Sequence, residues 1–179
     1  MRNLFDLDVK NYDPDGSVLV RPSARGIIIK DGKVAMVHSL RYNYYKFPGG
    51  GLEPGEDAKT ALIREVREEA GLKIIPDSIR EYGMVRRMQK LINSDYDHLY
   101  QENLYFLCDA VDKSVDQDLD DYEAEAGYMP EWVEPAVAIK ANRSGDLDIF
   151  VRFIRERECR ILEMLMEEGY FDSRSIENN

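Results

Sequence analysis

Gly50 to Leu72 reads GGLEPGEDAKTALIREVREEAGL. The start of this stretch cannot be regular helix, because Phe47 to Glu56 holds four glycines and two prolines. From Asp57 the pattern changes. Ala58, Ala61, Leu62, Ile63, Val66 and Ala70 recur at helical spacing, with Asp57 as a suitable N-cap and Gly71 as a suitable C′ residue. The spacing predicts a shaped loop followed by a helix from Asp57 to Ala70. Viewed down that helix at about 100° per residue, Glu68 lies about 60° to one side of Glu65 and Glu69 about 40° to the other. Three carboxylates therefore share one narrow face. Leu62, Ile63, Val66 and Ala70 form a separate apolar stripe that is expected to dock on a sheet.

Like charges at these spacings destabilise a helix by a few tenths of a kcal/mol per pair unless something compensates. A divalent cation would compensate. Magnesium prefers hard oxygen ligands and usually takes one or two protein carboxylates, leaving the rest of its octahedron to water and phosphate. The run Gly49-Gly50-Gly51 adds backbone groups that a metal or phosphate can approach closely, since no Cβ stands in the way.

Outward from this stretch the pattern is that of strands. Ala24 to Lys30 is rich in β-branched residues, Asp31-Gly32 is a hairpin turn, and Lys33 to His38 is the expected return strand. Val18 and Val20 suggest an edge strand before it. Tyr82 to Met88 and Glu102 to Cys108 are further strand candidates, which makes the fold class α/β with a mixed sheet. Between Asp112 and Glu131 eight carboxylates face one lysine, a composition that predicts a loop. A last helix is expected from about Ile149 to Glu168, with its apolar face completing the core or forming part of a homodimer interface, and the tail 173–179 is expected to fray.

The segment Gly50 to Leu72 resembles the Nudix box of the MutT-like hydrolases. The pattern is Gly, five residues, Glu, seven residues, then Arg-Glu-U-x-Glu-Glu-x-Gly-U with U aliphatic. Gly50, Glu56, Arg64, Glu65, Val66, Glu68, Glu69, Gly71 and Leu72 match every fixed position. By the order of elements the resemblance extends over roughly residues 17 to 168. It implies a Nudix-type α/β/α sandwich with a strand–loop–helix catalytic motif. The implied activity is hydrolysis of a nucleoside diphosphate linked to another moiety, with magnesium or manganese and water as nucleophile. It also implies that Glu68 and Glu69 are metal ligands, that Glu65 binds metal or takes a proton from the attacking water, and that the Gly49 carbonyl coordinates metal. Gly50, Glu56, Arg64 and Gly71 are then structural members of the motif, with Arg64 and Glu56 holding loop against helix. Family members often recruit one further carboxylate from a loop. Here Glu123, Glu125 and Glu102 are the options, with Glu125 favoured. The same fold also occurs as a non-catalytic nucleotide-sensing module. That reading is expected to come with a lost box glutamate, and none is lost here.

Outside the box, Arg41 and Tyr45 on the approach to the glycine run are candidate substrate contacts, although Tyr44, Tyr45 and Phe47 also suit packing. Arg86 is a third candidate, within a small basic patch with Arg87 and Lys90. Arginine and lysine total 24 against 35 acidic residues among 179, a formal charge of −11 that opposes general binding to nucleic acid or acidic lipid. A carboxylate-rich cleft takes an anionic substrate only with cations in between. No apolar run approaches the ~20 residues of a membrane span, and the N-terminus lacks the order of a signal peptide, so a cytoplasmic protein is expected. Cys108 and Cys159 have no metal-site spacing and are expected to be free and buried. With no linker or repeat, one domain over 1–179 is the expected organisation.

Overall fold

The computed structural model describes residues 1–111, 115–144 and 149–172. Its strands are β1 (Asn3–Asp8), β2 (Val18–Val20), β3 (Ser23–Ile27), β4 (Ile29–Lys30), β5 (Lys33–Ser39), β6 (Tyr44–Lys46), β7 (Gly49–Gly51), β8 (Arg80–Lys90), β9 (His98–Leu107) and β10 (Tyr128–Val133). The α-helices are α1 (Ala58–Ala70), α2 (Asp121–Ala126), α3 (Pro135–Ser144) and α4 (Ile149–Glu167). One sheet has the order β1-β8-β9-β3-β7, with β2 also on β9, and mixes parallel and antiparallel pairs. The second is antiparallel, β10-β5-β4, with β6 on β5.

The larger sheet is covered on both faces. Ala24 and Phe106 pack with Ala61, Leu62 and Val66 of α1, while Val85 and Tyr105 pack with Ile161, Leu162 and Leu165 of α4. This is the expected layering of helix, mixed sheet and helix. Because β3 lies in the middle, all five of its residues are buried, and neighbours along it face opposite helices.

Helix α1 begins and ends where its sequence predicts. The Asp57 side chain accepts from the N–H groups of Lys59 and Thr60, and Gly71 closes the helix at φ 63°. Val66 is fully buried on the sheet side. Val66→Asp is therefore expected to abolish cooperative folding by placing an unpaired charge in the core, which a circular-dichroism melt reads directly. A wild-type melt would contradict this packing.

Three expectations are corrected. The stretch Ala24 to Lys30 does not form one long hairpin arm. Only Ile29 and Lys30 pair with Val34 and Lys33 across the Asp31-Gly32 turn, while Ser23–Ile27 enters the larger sheet between β9 and β7. A two-residue turn with both φ values positive, 51° and 72°, dictates its nearest pairs but not how far the ladder runs. Secondly, the acidic stretch is not all loop, since it contains α2 and β10. Glu123 reaches back to the backbone N–H of Asp120 at 3.0 Å, and Asp121 and Glu123 occupy the first turn, where the helix dipole favours negative charge. Thirdly, Asn3–Asp8 adds a strand outside the expected 17–168 core, with Phe5 and Leu7 buried. α4 matches its expected span, both cysteines are free and buried, and the tail 173–179 lies outside the described residues.

Candidate active site

β7 and α1 meet around Arg64. Its guanidinium donates to both oxygens of Glu56, at 3.0 and 2.9 Å, and to the Gly51 carbonyl at 3.1 Å, tying the loop to the helix. The same group donates to Glu65 at 2.8 Å and Glu68 at 3.1 Å. The bidentate contact with Arg64 holds the Glu56 carboxyl below the usual carboxylate range. Arg64 thus links Glu56 and the Gly51 carbonyl of the loop to the helix that carries it.

Gly49 and Gly71 are required by sterics, since an added Cβ there would meet backbone, and Gly50 lies against the Glu65 carboxylate. Gly49 has φ 139°, and a Cβ there would lie 2.1 Å from the Ala24 carbonyl oxygen. A Cβ on Gly50 would lie 2.2 Å from Glu65 Oε2, and one on Gly71 would lie 2.2 Å from the Val115 carbonyl oxygen. The loop can thus lie directly against the glutamates.

The three box glutamates do not form one solvated face. Glu69 is 1% exposed, accepting from the Gly49 N–H at 2.8 Å and from the Lys46 ammonium. Burial pushes the Glu69 carboxyl up to about 7, against the opposing pull of Lys46. Glu65 is also raised by burial and lowered by Arg64, while Glu68 is the most exposed of the three. Lys46, which the sequence reading missed, is itself buried, donates to the Gly49 carbonyl at 3.3 Å and lies 4.8 Å from the Tyr128 ring centre. A lone lysine between Tyr45 and Phe47, in a strand running into Pro-Gly-Gly, was its only signal.

The residues outside the box are distributed differently from expectation. Glu125 is exposed on α2 and paired with Arg41, so two candidates given separate roles hold each other. Glu123 is instead 4% exposed, and its charge contributes to raising Glu69. Alternation explains the choice, since residues two apart on a short helix face different ways. Glu102 accepts from the Tyr100 hydroxyl at 2.8 Å. Tyr45 is buried, donates its hydroxyl to Glu131 at 2.9 Å and stacks on His38 at 4.2 Å, which makes it a packing residue. Arg86 is spent on Asp6 of β1 in a bidentate pair, both bonds at 2.9 Å.

The donors around Gly49 suit a hard divalent cation. They are carboxylates and a backbone carbonyl, with no thiol or imidazole among them. Arg64 and Lys46 hold the same oxygens, and among the described residues no group of three His, Cys, Asp or Glu side chains is arranged to hold an ion. The fit is in donor type. Binding a cation there requires these side chains to share or yield their carboxylates.

Comparison with known proteins agrees with this geometry. The NUDIX domain family model matches residues 20–153. Diphosphoinositol polyphosphate phosphohydrolase 3-beta of Homo sapiens is 30% identical over 134 residues, which is 73% of each chain. An uncharacterized Nudix hydrolase, YvcI of Bacillus subtilis, is 32% identical over 80 residues, 45% of this chain and 47% of that one. Among solved structures, a NUDIX hydrolase from Nitrosomonas europaea superposes with a TM-score of 0.54 at 18% identity, covering 80% of this chain and 90% of that one, a likeness of fold. With the box intact and its arginine frame assembled, the chain belongs to the Nudix family of hydrolases and is an enzyme of that family.

Proposed function

We propose that the protein hydrolyses the pyrophosphate bond of a small molecule, a nucleoside diphosphate linked to another moiety, with magnesium or manganese. The observation that carries this reading is the assembled box, in which Arg64 alone engages Glu56, Glu65, Glu68 and the Gly51 carbonyl. Glu65, Glu68, Glu69 and the Gly49 carbonyl would hold the metal, with Glu123 rather than Glu125 as the further carboxylate. When bound, the metal neutralises the diphosphate and lowers the pKa of a coordinated water.

The chain's own residues then divide the remaining work. Arg64 holds Glu65 Oε1 at 2.8 Å and leaves Oε2 beside Gly50, where it can take a proton. Lys46 and the Gly49 N–H fix both oxygens of Glu69. A diphosphoinositol polyphosphate, the compound class in the name of the human relative, carries the same bond and belongs in the substrate screen.

Product chromatography with a panel of nucleotide diphosphates and diphosphoinositol polyphosphates, in magnesium or manganese, tests the proposal. Wild type is expected to release a monophosphate product. Glu68→Gln is expected to reduce turnover by on the order of 100-fold or more while keeping the wild-type melt. Absence of product from wild type across the panel would overturn the reading, and saturable binding without turnover would favour the sensing module instead.

A further inference from the structure

On the face of the larger sheet opposite α1, the register places Arg87 of β8 against Gln101 of β9, and Arg25 of β3 between Tyr105 and Gly49. From α4, Arg157 comes down onto this face and donates to Asn103 at 2.6 Å. Three guanidinium groups thus gather on one covered surface. Arg157 is 2% and Arg25 8% exposed, while Arg87 is half-buried, and its desolvation together with the charges of Arg157 and Arg25 pushes it down to about 10.

The compensation is incomplete. Glu158 accepts from Arg157 at 2.6 Å and from the Tyr105 hydroxyl at 3.0 Å. Arg87 is hydrogen-bonded to the neutral Gln89, at 3.3 and 3.0 Å, and sits 4.5 Å over the Phe153 ring, with no carboxylate partner among the described residues. Arg25 spends one nitrogen on the carbonyls of Gly49 at 2.9 Å and Phe47 at 3.4 Å, and its buried Nε has no hydrogen-bond partner among the described residues. A buried donor without an acceptor costs about 1–3 kcal/mol, and uncompensated buried charge costs more. In a protein of net charge −11, these three guanidinium groups have one carboxylate, Glu158, as an ion-pair partner among the described residues.

Arg25 donates to the Gly49 carbonyl, so the cluster begins at the box loop and leads away from it across the sheet. We propose that Arg25, Arg87 and Arg157 form a phosphate subsite, which takes a phosphate group of the substrate beyond the pair whose bond is cleaved. The inference rests on the pyrophosphohydrolase reading and narrows it to substrates carrying at least one further phosphate. Guanidinium suits this role because its planar fork donates to two phosphate oxygens at once.

Inorganic tripolyphosphate in excess EDTA probes the subsite without metal or turnover. Isothermal titration is expected to show one saturable site on wild type, at least 10-fold weaker binding by Arg87→Gln, and partial recovery in Arg87→Lys. No binding by wild type, or equal binding by a folded Arg87→Gln, would overturn the subsite. For the diphosphate turned over in the product screen, Arg87→Gln is expected to raise KM at least 10-fold with kcat nearly kept, and an unchanged KM would overturn the substrate role. The two readings fail separately. Tripolyphosphate binding through Arg87 without hydrolysis of any panel compound would sink the hydrolase proposal, and hydrolysis with Arg87-independent tripolyphosphate binding would sink the subsite.

Discussion

Glu69→Gln is expected to destabilise the metal-free protein by about 3–5 kcal/mol, the range for removing one partner of a buried ion pair. Both oxygens of Glu69 are in use, one by the Lys46 ammonium and one by the Gly49 N–H. Glutamine offers one oxygen and one NH2 group, so one of these two donors must face another donor inside the protein. Lys46 would remain 5% exposed, with the Gly49 carbonyl and the Tyr128 ring as its company. Denaturant titration in EDTA measures the loss. The double variant Lys46→Met/Glu69→Gln should recover a large part of it, because the charge left behind is removed as well. If Glu69→Gln unfolds within about 1 kcal/mol of wild type, the pair does not carry the role its burial implies. The variant should also lose turnover, since it removes a carboxylate proposed to hold the metal, so activity and stability fall together here whereas Glu68→Gln separates them.

Gly49→Ala is expected to have the other large effect, a loss of about 3 kcal/mol or more. At φ 139° an alanine is strained whatever the space, and its Cβ would lie 2.1 Å from the Ala24 carbonyl oxygen and 2.7 Å from the Arg25 Cα. Both obstacles are backbone of a central strand and cannot swing aside. Gly55 is the control, because it too has positive φ, 82°, but nothing among the described residues lies within 4 Å of an added Cβ. Gly55→Ala should cost only the conformational strain, about 1–2 kcal/mol. For a chain of this size each kcal/mol moves the melting temperature by roughly 2–4 °C, so the two variants should be resolved in one set of melts. Equal melting temperatures would show that β7 does not lie so close to β3.

Much of the site was legible because its determinants are local. The α1 caps, its apolar stripe and the Arg64–Glu56 frame all depend on residues within one loop and one helix. What was missed depends on distant pairing. Whether Ile27 belongs with Met36 across the turn or with Leu107 is settled by which neighbour completes the sheet, and the β-branched composition suits either. α3 has few strong signals of its own, since its place is set by contacts such as Asn142 with the backbone of Tyr45 at 2.7 and 2.9 Å. The different surroundings of Glu123 and Glu125 have a related cause. The acidic composition predicts a loop, whereas helix α2 turns residues two apart to different sides, so that Glu123 is buried and Glu125 exposed. Likewise Arg86 and Arg87 read as one basic patch, whereas a strand sends adjacent residues to opposite faces, Arg86 to Asp6 and Arg87 to the side of α4.

The covered central strand β3 has a consequence for how this gene can change. Ser23 and Arg25 point to the α4 side, while Ala24 and Gly26 point to the α1 side, where Val66 Cγ2 would lie 3.0 Å from a Cβ on Gly26. Single substitutions disturb one side at a time. A one-residue insertion or deletion within Ser23–Ile27 would exchange the two sides at once, driving the arginine toward Leu62 and Val66 and withdrawing it from the Gly49 carbonyl. Length variation is therefore expected to be purged from this strand and tolerated in the turns that flank it.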